Sequence, residues 1–245
     1  RGPRDGASGG ASTTGPAAAI SSSWSGPGGV RARWTGRAEG DMGHGGRHVV
    51  EVDPAVEARR RAVVDRPWSW VRQLHGAEVL VVDSPGGGAG RAADASVSAS
   101  PGVALAVLSA DCAPVALASP EGVFAAVHAG WKGLRAGVVE EAVAAMLGLG
   151  ASRVQAALGP CLHAECCAFS PPELESVAAR LGPSVRGRAA DGGSALDIPA
   201  AVAAALERAG ARLVAASPDC TACSQGYFSH RAGGDLERQA LVVWR

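Results

Sequence analysis

The sequence predicts a domain of mixed helices and strands, in the α/β or α+β class. A chain of 245 residues can bury a sizeable core, and its 47% hydrophobic content is typical of globular proteins. Short continuous apolar runs alternate with segments whose apolar residues recur at helical spacing. Residues 1–29 are rich in Gly, Ala, Ser and Pro, so we expect a disordered tail there and one ordered domain over 30–245.

Six apolar runs are predicted to be strands. Most are continuously apolar rather than alternating, which indicates burial on both faces of a sheet. They are Glu78–Val82, Val103–Leu108, Val123–Val127, Val154–Leu158, Arg212–Ala216 and Ala240–Trp244.

Three helices are predicted between the strands. Leu134–Leu147 carries apolar residues at helical spacing on one face, and Pro172–Leu181 is a second candidate. Asp197–Arg208 begins with an aspartate suited to the N-cap and is followed by Gly210, which favours an end to the helix.

Net charge and the distribution of apolar residues limit the classes of partner and the location that the sequence predicts. The chain has 23 basic and 23 acidic residues, so its net charge gives no reason to expect nucleic acid or an anionic membrane as a partner. The sequence has no secretory leader pattern and no apolar run of transmembrane length. We therefore expect a cytoplasmic protein that binds a small molecule through local charges. A monomer is our default expectation, because the sequence does not give the oligomeric state.

One cysteine and two histidines stand beside predicted strand ends. They are His75, Cys112 and His128. One thiolate and two imidazoles suit zinc, and three protein ligands would leave the fourth position open, as in catalytic sites. Their wide spacing matches no short zinc-binding pattern, and each residue taken alone is equally consistent with core packing or a loop hydrogen bond.

Two charged residues next to these candidates could take part in chemistry. Asp111 precedes Cys112 and is a candidate for proton transfer. Lys132 lies in Gly130–Gly133, just before a predicted helix, where a cation and free amides can hold an anion such as phosphate. An ordinary strand-to-helix connection would also accommodate this turn.

The other five cysteines do not resemble the disulfide framework of a small secreted domain. Cys220 and Cys223 form a C-x-x-C pair without a second such pair, so we expect them to be structural thiols. Cys161, Cys166 and Cys167 follow a Gly-Pro turn, and we expect at least one of them to line the ligand pocket.

Five stretches together resemble the YfiH-type family over roughly residues 30–245. In chain order they are RQLHGAEVLVVD, ADASVSASPGVALAVLSADCAPVAL, VFAAVHAGWKGLRAGVV, ALGPCLHAECCAF and CSQGYFSHRAGGDLERQALVVW. That family was named a polyphenol oxidase or laccase domain, and later described as a zinc-dependent purine nucleoside phosphorylase and adenosine deaminase and as a peptidoglycan editing factor. The resemblance implies an α+β sandwich of mixed β-sheets flanked by helices, with Zn2+ on His75, Cys112 and His128.

The resemblance also implies which cations hold phosphate. Arg59 corresponds to part of an Asn-Arg pair in the family. Arg231 and Arg238 flank a Gly-Gly pair near the C-terminus, where a guanidinium can bind phosphate through two hydrogen bonds. The chain departs from the family pattern near Asp41 and Glu237, which affects the expected substrate pocket more than the expected metal site.

The predicted function is therefore zinc-dependent phosphorolysis of purine nucleosides, together with deamination of adenosine. Zinc lowers the pKa of a bound water to about 7, so that water could attack C6 of the purine, whereas phosphate would attack C1′ of the ribose. Three alternatives stay open: an amidase that edits peptidoglycan precursors at the same zinc site, a metal-free thiol hydrolase using Cys112 and His128, and a non-enzymatic zinc-binding module. A copper oxidase is disfavoured, because it would need many histidine ligands and the chain has six.

Overall fold

Two β-sheets packed face to face form the centre of the protein. The computed structural model describes residues 17–19, 22–43 and 53–245. The strands in chain order are β1 Ala18–Ala19, β2 Ser23–Ser25, β3 Arg31–Trp34, β4 Trp68–Trp70, β5 Val79–Val81, β6 Ala95–Ser98, β7 Ala104–Ser109, β8 Ala113–Ala118, β9 Phe124–Ala129, β10 Gln155–Leu158, β11 Arg186–Arg188, β12 Ser194–Leu196, β13 Arg212–Ala216 and β14 Gln239–Trp244. The α-helices are α1 Pro54–Val63, α2 Trp131–Ala136, α3 Val138–Gly148, α4 Pro171–Leu181, α5 Ile198–Arg208 and α6 His230–Gly233.

Both large sheets contain parallel and antiparallel pairs. The seven-stranded sheet has the order β1-β13-β10-β8-β9-β6-β5, and the five-stranded sheet has the order β2-β3-β14-β7-β4. Strands β11 and β12 form a separate antiparallel pair. The expected α+β sandwich of mixed sheets is confirmed.

The alternation of side chains along each strand fills two cores. On β9, Phe124 and Ala126 point toward the five-stranded sheet, whereas Ala125 and Val127 point toward helices α2 to α5 on the other side. Every residue of β9 is buried. This two-sided burial explains why its sequence is a continuous apolar run.

The predicted helix Leu134–Leu147 is interrupted. Gly137 adopts a left-handed conformation with φ 97° and separates α2 from α3. A side chain there would clash with the guanidinium of Arg180, so glycine satisfies both the backbone angle and the close packing. The single long helix was therefore wrong, although Leu134 and Val138 are both buried as its apolar face required.

Several strands were missed because their sequences are weak strand formers. Strand β8 is rich in alanine and has Pro114 as its second residue, which argues against a central strand. It nevertheless lies between β9 and β10, and Pro114 pairs with His128. No helix in the described ranges is long and apolar enough to cross a bilayer.

The boundary of the expected tail at residue 29 also requires correction. Ser23–Ser25 pairs antiparallel with β3, and Ala18–Ala19 pairs parallel with β13. Trp24 is partly buried against the core between the sheets. Residues 1–16, 20–21 and 44–52 lie outside the described residues, so the tail expectation for residues 1–16 stays a prediction.

Removing the edge strand β2 is expected to destabilise the fold. A chain starting at Val30 loses the pairing with β3 and the packing of Trp24. The single change Trp24→Ala should lower the melting temperature by about 2–6 °C, since it exposes part of an apolar core surface. Thermal unfolding followed by circular dichroism measures this shift, with the exposed Ser23→Ala as the control. Equal melting temperatures for both variants and the intact chain would mean that β2 does not contribute to stability.

Candidate active site

A cavity of about 640 Å3 opens beside the ends of β4, β7 and β9. Cavities of this size hold small-molecule ligands. Its wall combines apolar and aromatic side chains with cations, imidazoles and thiols. The polar and aromatic lining residues are Trp70, Arg72, Gln73, His75, Ser109, Asp111, Cys112, His128, Trp131, Lys132, Cys167, Phe169, His230, Arg231 and Arg238.

Three of these residues could hold a metal ion. The nearest ligand atoms of His75, Cys112 and His128 all lie within 4.8 Å of one another. The Cys112 Sγ is 3.8 Å from the His75 Nε2, and the two imidazole rings meet edge to face with centroids 4.9 Å apart. The loop after β4, the β7–β8 turn and strand β9 supply one residue each, so the fold brings the three distant residues together.

The backbone around this cluster is strained at two positions. His75 has φ 59° and Asp111, which precedes Cys112, has φ 87°. Such angles are uncommon for residues other than glycine and cost about 1–3 kcal/mol each. Their position next to the candidate ligands is typical of a site where geometry serves function.

Asp94 organises two of the three candidate ligands, and sequence analysis missed it. This buried carboxylate lies 3.0 Å from the His128 Nδ1. It also accepts hydrogen bonds from the backbone N–H groups of Leu74, His75 and Gly76. The contact with Nδ1 leaves the Nε2 of His128 free to bind a metal, and a carboxylate behind a histidine ligand is a common arrangement in metal sites.

Electrostatics favour a thiolate at Cys112. Burial alone raises the pKa of a thiol, but the imidazoles of His128 and His75 outweigh this effect and lower the pKa of Cys112 to about 6. The Cys112 thiolate and Asp94 in turn raise the pKa of buried His128 against the effect of burial. The sulfur is therefore already in the thiolate form that binds metals, and His128 would release its proton when a metal binds.

The donor set fits zinc. One sulfur and two nitrogens are ligands that zinc prefers, and within the described part of the chain no fourth His, Cys or carboxylate completes this cluster. Gly130 keeps the centre open, because a Cβ there would lie 2.9 Å from the His75 Cδ2 and 3.0 Å from the Cys112 Sγ. A three-ligand set of this kind leaves one coordination position for water or substrate.

Replacing Asp94 with asparagine is expected to lower metal affinity by roughly 10–100-fold, because the carboxylate that orients His128 is lost. Asparagine keeps the side-chain size, so the fold should persist. Competition with a chromogenic chelator measures the affinity, and Asp83→Asn, an exposed carboxylate outside the cavity, is the control. Unchanged affinity in Asp94→Asn would show that Asp94 only supports the loop 74–76.

The carboxylate of Asp111 accepts three hydrogen bonds from neighbouring protein groups. Its Oδ1 accepts hydrogen bonds from the hydroxyls of Thr221 and Ser229, each at 2.7 Å, and its Oδ2 accepts one from the backbone N–H of Arg231 at 2.7 Å. These contacts tie the turn before Cys112 to segment 221–231. This arrangement favours a positioning role over the proton transfer expected from the sequence.

Three of the four expected anion-binding cations line the cavity: Lys132, Arg231 and Arg238. The fourth, Arg59, is not among the lining residues, and its Nε donates to the backbone oxygen of Asp41 at 2.8 Å. The structure therefore does not support the expected role of Arg59 in phosphate binding. His230, which sequence analysis did not select, also lines the cavity.

The neighbouring Arg60 has a structural role and is not among the residues lining the cavity either. It is fully buried, and its guanidinium donates to the backbone oxygen of Met42 at 2.7 Å and faces the rings of Trp68 and Trp70. Burial lowers the pKa of Arg60 to about 10. Through Met42, Arg60 fixes the segment that brings Gly43 to the cavity wall.

Two aromatic rings form part of the same wall. Trp131 and Phe169 meet edge to face with ring centroids 5.3 Å apart. The Lys132 Nζ lies 5.5 Å from the centroid of the Trp131 ring. A planar ligand and an anion could thus bind side by side, the first on aromatic surface and the second near cations.

Comparison with known proteins identifies the family. Residues 30–245 match the model of the family described as multi-copper polyphenol oxidoreductase laccase. A Streptomyces coelicolor protein named purine nucleoside phosphorylase is 46% identical over 179 residues, covering 71% of this chain and 74% of that protein. A Streptomyces griseus protein of the same name is 40% identical over 227 residues, covering 86% of this chain and 91% of that protein.

Solved structures support the same conclusion. The crystal structure of Neisseria meningitidis protein NMB0706 has a TM-score of 0.77 and 28% identity, with coverage of 92% of this chain and 98% of that one. Bacillus licheniformis YfiH shares the fold, with a TM-score of 0.75, 22% identity and coverage of 88% and 92%. The chain therefore belongs to the family described as multi-copper polyphenol oxidoreductase laccase.

Proposed function

We propose that this protein is a zinc-dependent purine nucleoside phosphorylase that also deaminates adenosine. The observation that carries the proposal is the cluster of His75, Cys112 and His128 on the wall of a cavity lined by cations and aromatic rings. These three residues would hold zinc and leave one position for water or substrate. The names of the relatives support phosphorolysis. A cytoplasmic location and a monomeric state remain predictions.

Different residues of the cavity would bind different parts of the two substrates. Trp131 and Phe169 offer apolar surface for the purine. Lys132, Arg231 and Arg238 offer positive charge for phosphate and for its attack on C1′ of the ribose. Holding both reactants in one pocket lowers the entropic cost of bringing them together.

The three candidate metal ligands and the residues around them would act at the reacting atoms of the substrate. His75, Cys112 and His128 would hold zinc, which when bound supplies Lewis-acid polarisation and lowers the pKa of water. Asp94 keeps the His128 ring in place through Nδ1. We assign Asp111 to positioning, and we propose the His230 imidazole as the group that moves a proton in its place, because it lines the cavity outside the metal-binding set.

One alternative has an observation in its favour. Asp94, His128 and Cys112 form a chain of contacts like that of a cysteine hydrolase, in which a carboxylate orients a histidine that activates a thiol. A thiol hydrolase needs no metal. Activity that persists in excess chelator would therefore favour this alternative over the zinc enzyme.

A panel of nucleosides tests the proposed reaction. Adenosine, inosine and guanosine are incubated with the zinc-loaded protein, with and without phosphate, and products are separated by chromatography. We expect free base from each nucleoside only with phosphate, and inosine from adenosine in either case. Turnover of an amide-linked nucleotide-activated muramic acid, with all nucleosides left intact, would favour the amidase.

A further inference from the structure

A second group of metal-binding side chains lies outside the cavity. Ligand atoms of Glu165, Cys166, Cys220 and Cys223 lie within 4.8 Å of one another. The Sγ atoms of Cys166 and Cys223 are 3.3 Å apart, and the Cys223 Sγ is 3.9 Å from the Glu165 Oε1. None of the four residues lines the cavity.

The fold brings this group together from two distant segments. Glu165 and Cys166 lie on a 3-10 turn, Ala164–Cys166, after β10, and the C-x-x-C pair forms a turn after β13. The two segments pair at Cys161 and Cys220, where the N–H of Thr221 donates to the oxygen of Cys161 at 3.0 Å. Backbone contacts therefore hold the segments in register without help from the thiols.

We propose that Glu165, Cys166, Cys220 and Cys223 form a second, structural zinc site. Three sulfurs and one carboxylate oxygen are all zinc ligands, and four protein ligands close the tetrahedral set, which distinguishes a structural site from an open catalytic one. The backbone N–H of His163 donates to the Cys220 Sγ at 3.4 Å, a contact that stabilises a thiolate. On loading, each S–H bond gives up its proton to solvent and the sulfur lone pair binds the metal.

The crowding of the thiols supports this assignment. The Cys166 and Cys223 Sγ atoms are 3.3 Å apart and the Cys223 Sγ is 3.9 Å from the Glu165 Oε1, so these groups would repel one another strongly if all were ionised without a cation. A divalent cation removes that repulsion. The cluster is thus an unfavourable place for thiolates alone and a favourable one for thiolates around a metal.

The proposed second site connects two chain segments that contact residues of the cavity wall. Cys167, next to Cys166, lines the cavity, and the following Ala168 accepts a hydrogen bond from the Arg231 Nη1 at 3.0 Å. On the other segment, Thr221 lies between the two ligating cysteines and donates to Asp111. A metal here would fix both segments relative to the catalytic centre without touching substrate.

Cobalt substitution tests the proposal without reliance on catalysis. Cys112→Ala removes the one thiolate of the first cluster, so any thiolate-to-cobalt charge-transfer band in this variant comes from the second. We expect the metal-free Cys112→Ala protein to bind one equivalent of Co2+ with such a band. Zinc should displace the cobalt and raise the melting temperature. A protein without the band would overturn the proposal.

Matched cysteine changes locate the metal. Adding Cys223→Ser, an exposed position that should tolerate the change, is expected to weaken the band and the binding of Co2+, because only two thiolates remain, whereas adding Cys161→Ala should leave both unchanged. Equal bands in the two double variants would contradict the assignment. So would a Cys166–Cys223 disulfide in the freshly isolated protein, detected as two missing thiols after denaturation. None of these outcomes depends on whether the protein is a phosphorylase.

Discussion

Cys112→Ala should lose the metal at the cavity and lower phosphorolysis by on the order of a thousandfold. The change removes the only sulfur of the three-ligand set and leaves two imidazoles, of which His128 lies beside the Asp94 carboxylate. Loss of the group that stabilises charge at the reacting centre has effects of about this size. Elemental analysis and steady-state kinetics on the same preparation measure both quantities.

Two further variants separate this account from a thiol mechanism. Cys112→Asp replaces the thiolate with a carboxylate, which can still bind zinc, so part of the metal and some activity should be retained. A nucleophilic cysteine would not tolerate that exchange. Cys161→Ala, a buried cysteine that belongs to neither candidate metal group, controls for loss of a thiol in the core. Metal content unchanged in Cys112→Ala would contradict the assignment of this ligand.

Lys132→Met is expected to lower phosphorolysis by roughly ten- to a thousandfold, and deamination by less. Lys132 lines the cavity close to the metal-ligand cluster, and methionine keeps most of its stem while removing the charge. Loss of one electrostatic contact to the reacting group typically lowers the rate by a factor within this range. Deamination uses no phosphate, so the ratio of the two rates in one variant reports the role of the lysine.

Arg153→Met is the control for Lys132, because Arg153 is an exposed cation that is not among the residues lining the cavity. Lys132 is also the only lysine in the chain, so phosphate should slow its reaction with an amine-specific reagent. Equal losses in both reactions would assign Lys132 to general substrate binding. An unchanged phosphorolysis rate would transfer the phosphate role to Arg231 or Arg238.

The sequence could predict buried strands and the candidate ligands, and the family resemblance added the mixed sheets, but neither indicated the groups that support the ligands. Continuous apolar runs such as that of β9 reveal strands buried on both faces, and the motifs around Cys112 and His128 are specific enough to suggest a family. The role of Asp94, which lies between two alanines in the sequence, could not be predicted, because it depends on the loop 74–76 that folds back onto the start of β6. Only the three-dimensional structure reveals that contact.

In helix α1, the helical period predicts which arginine is buried. Val56 and Arg60 are one helical turn apart, and both are buried. The periodicity of Pro54–Val63 therefore indicates that Arg60, rather than Arg59, is the arginine that faces the core. No comparable signal existed for the second cysteine cluster, because 57 residues separate Cys166 from Cys223 and nothing local indicates that β10 and β13 are neighbours.

Phosphorus NMR on inosine and phosphate, before and after metal is restored, tests the central claim most directly. The protein is stripped with chelator, the signal is recorded, and two equivalents of zinc are added, which is enough for both candidate metal groups, with Cys112→Ala as the control that lacks a cavity ligand. The account predicts no reaction in the stripped protein and the appearance of ribose 1-phosphate, with hypoxanthine, after zinc. Ribose 1-phosphate formed at an equal rate by the stripped protein, or none formed after zinc, would contradict it.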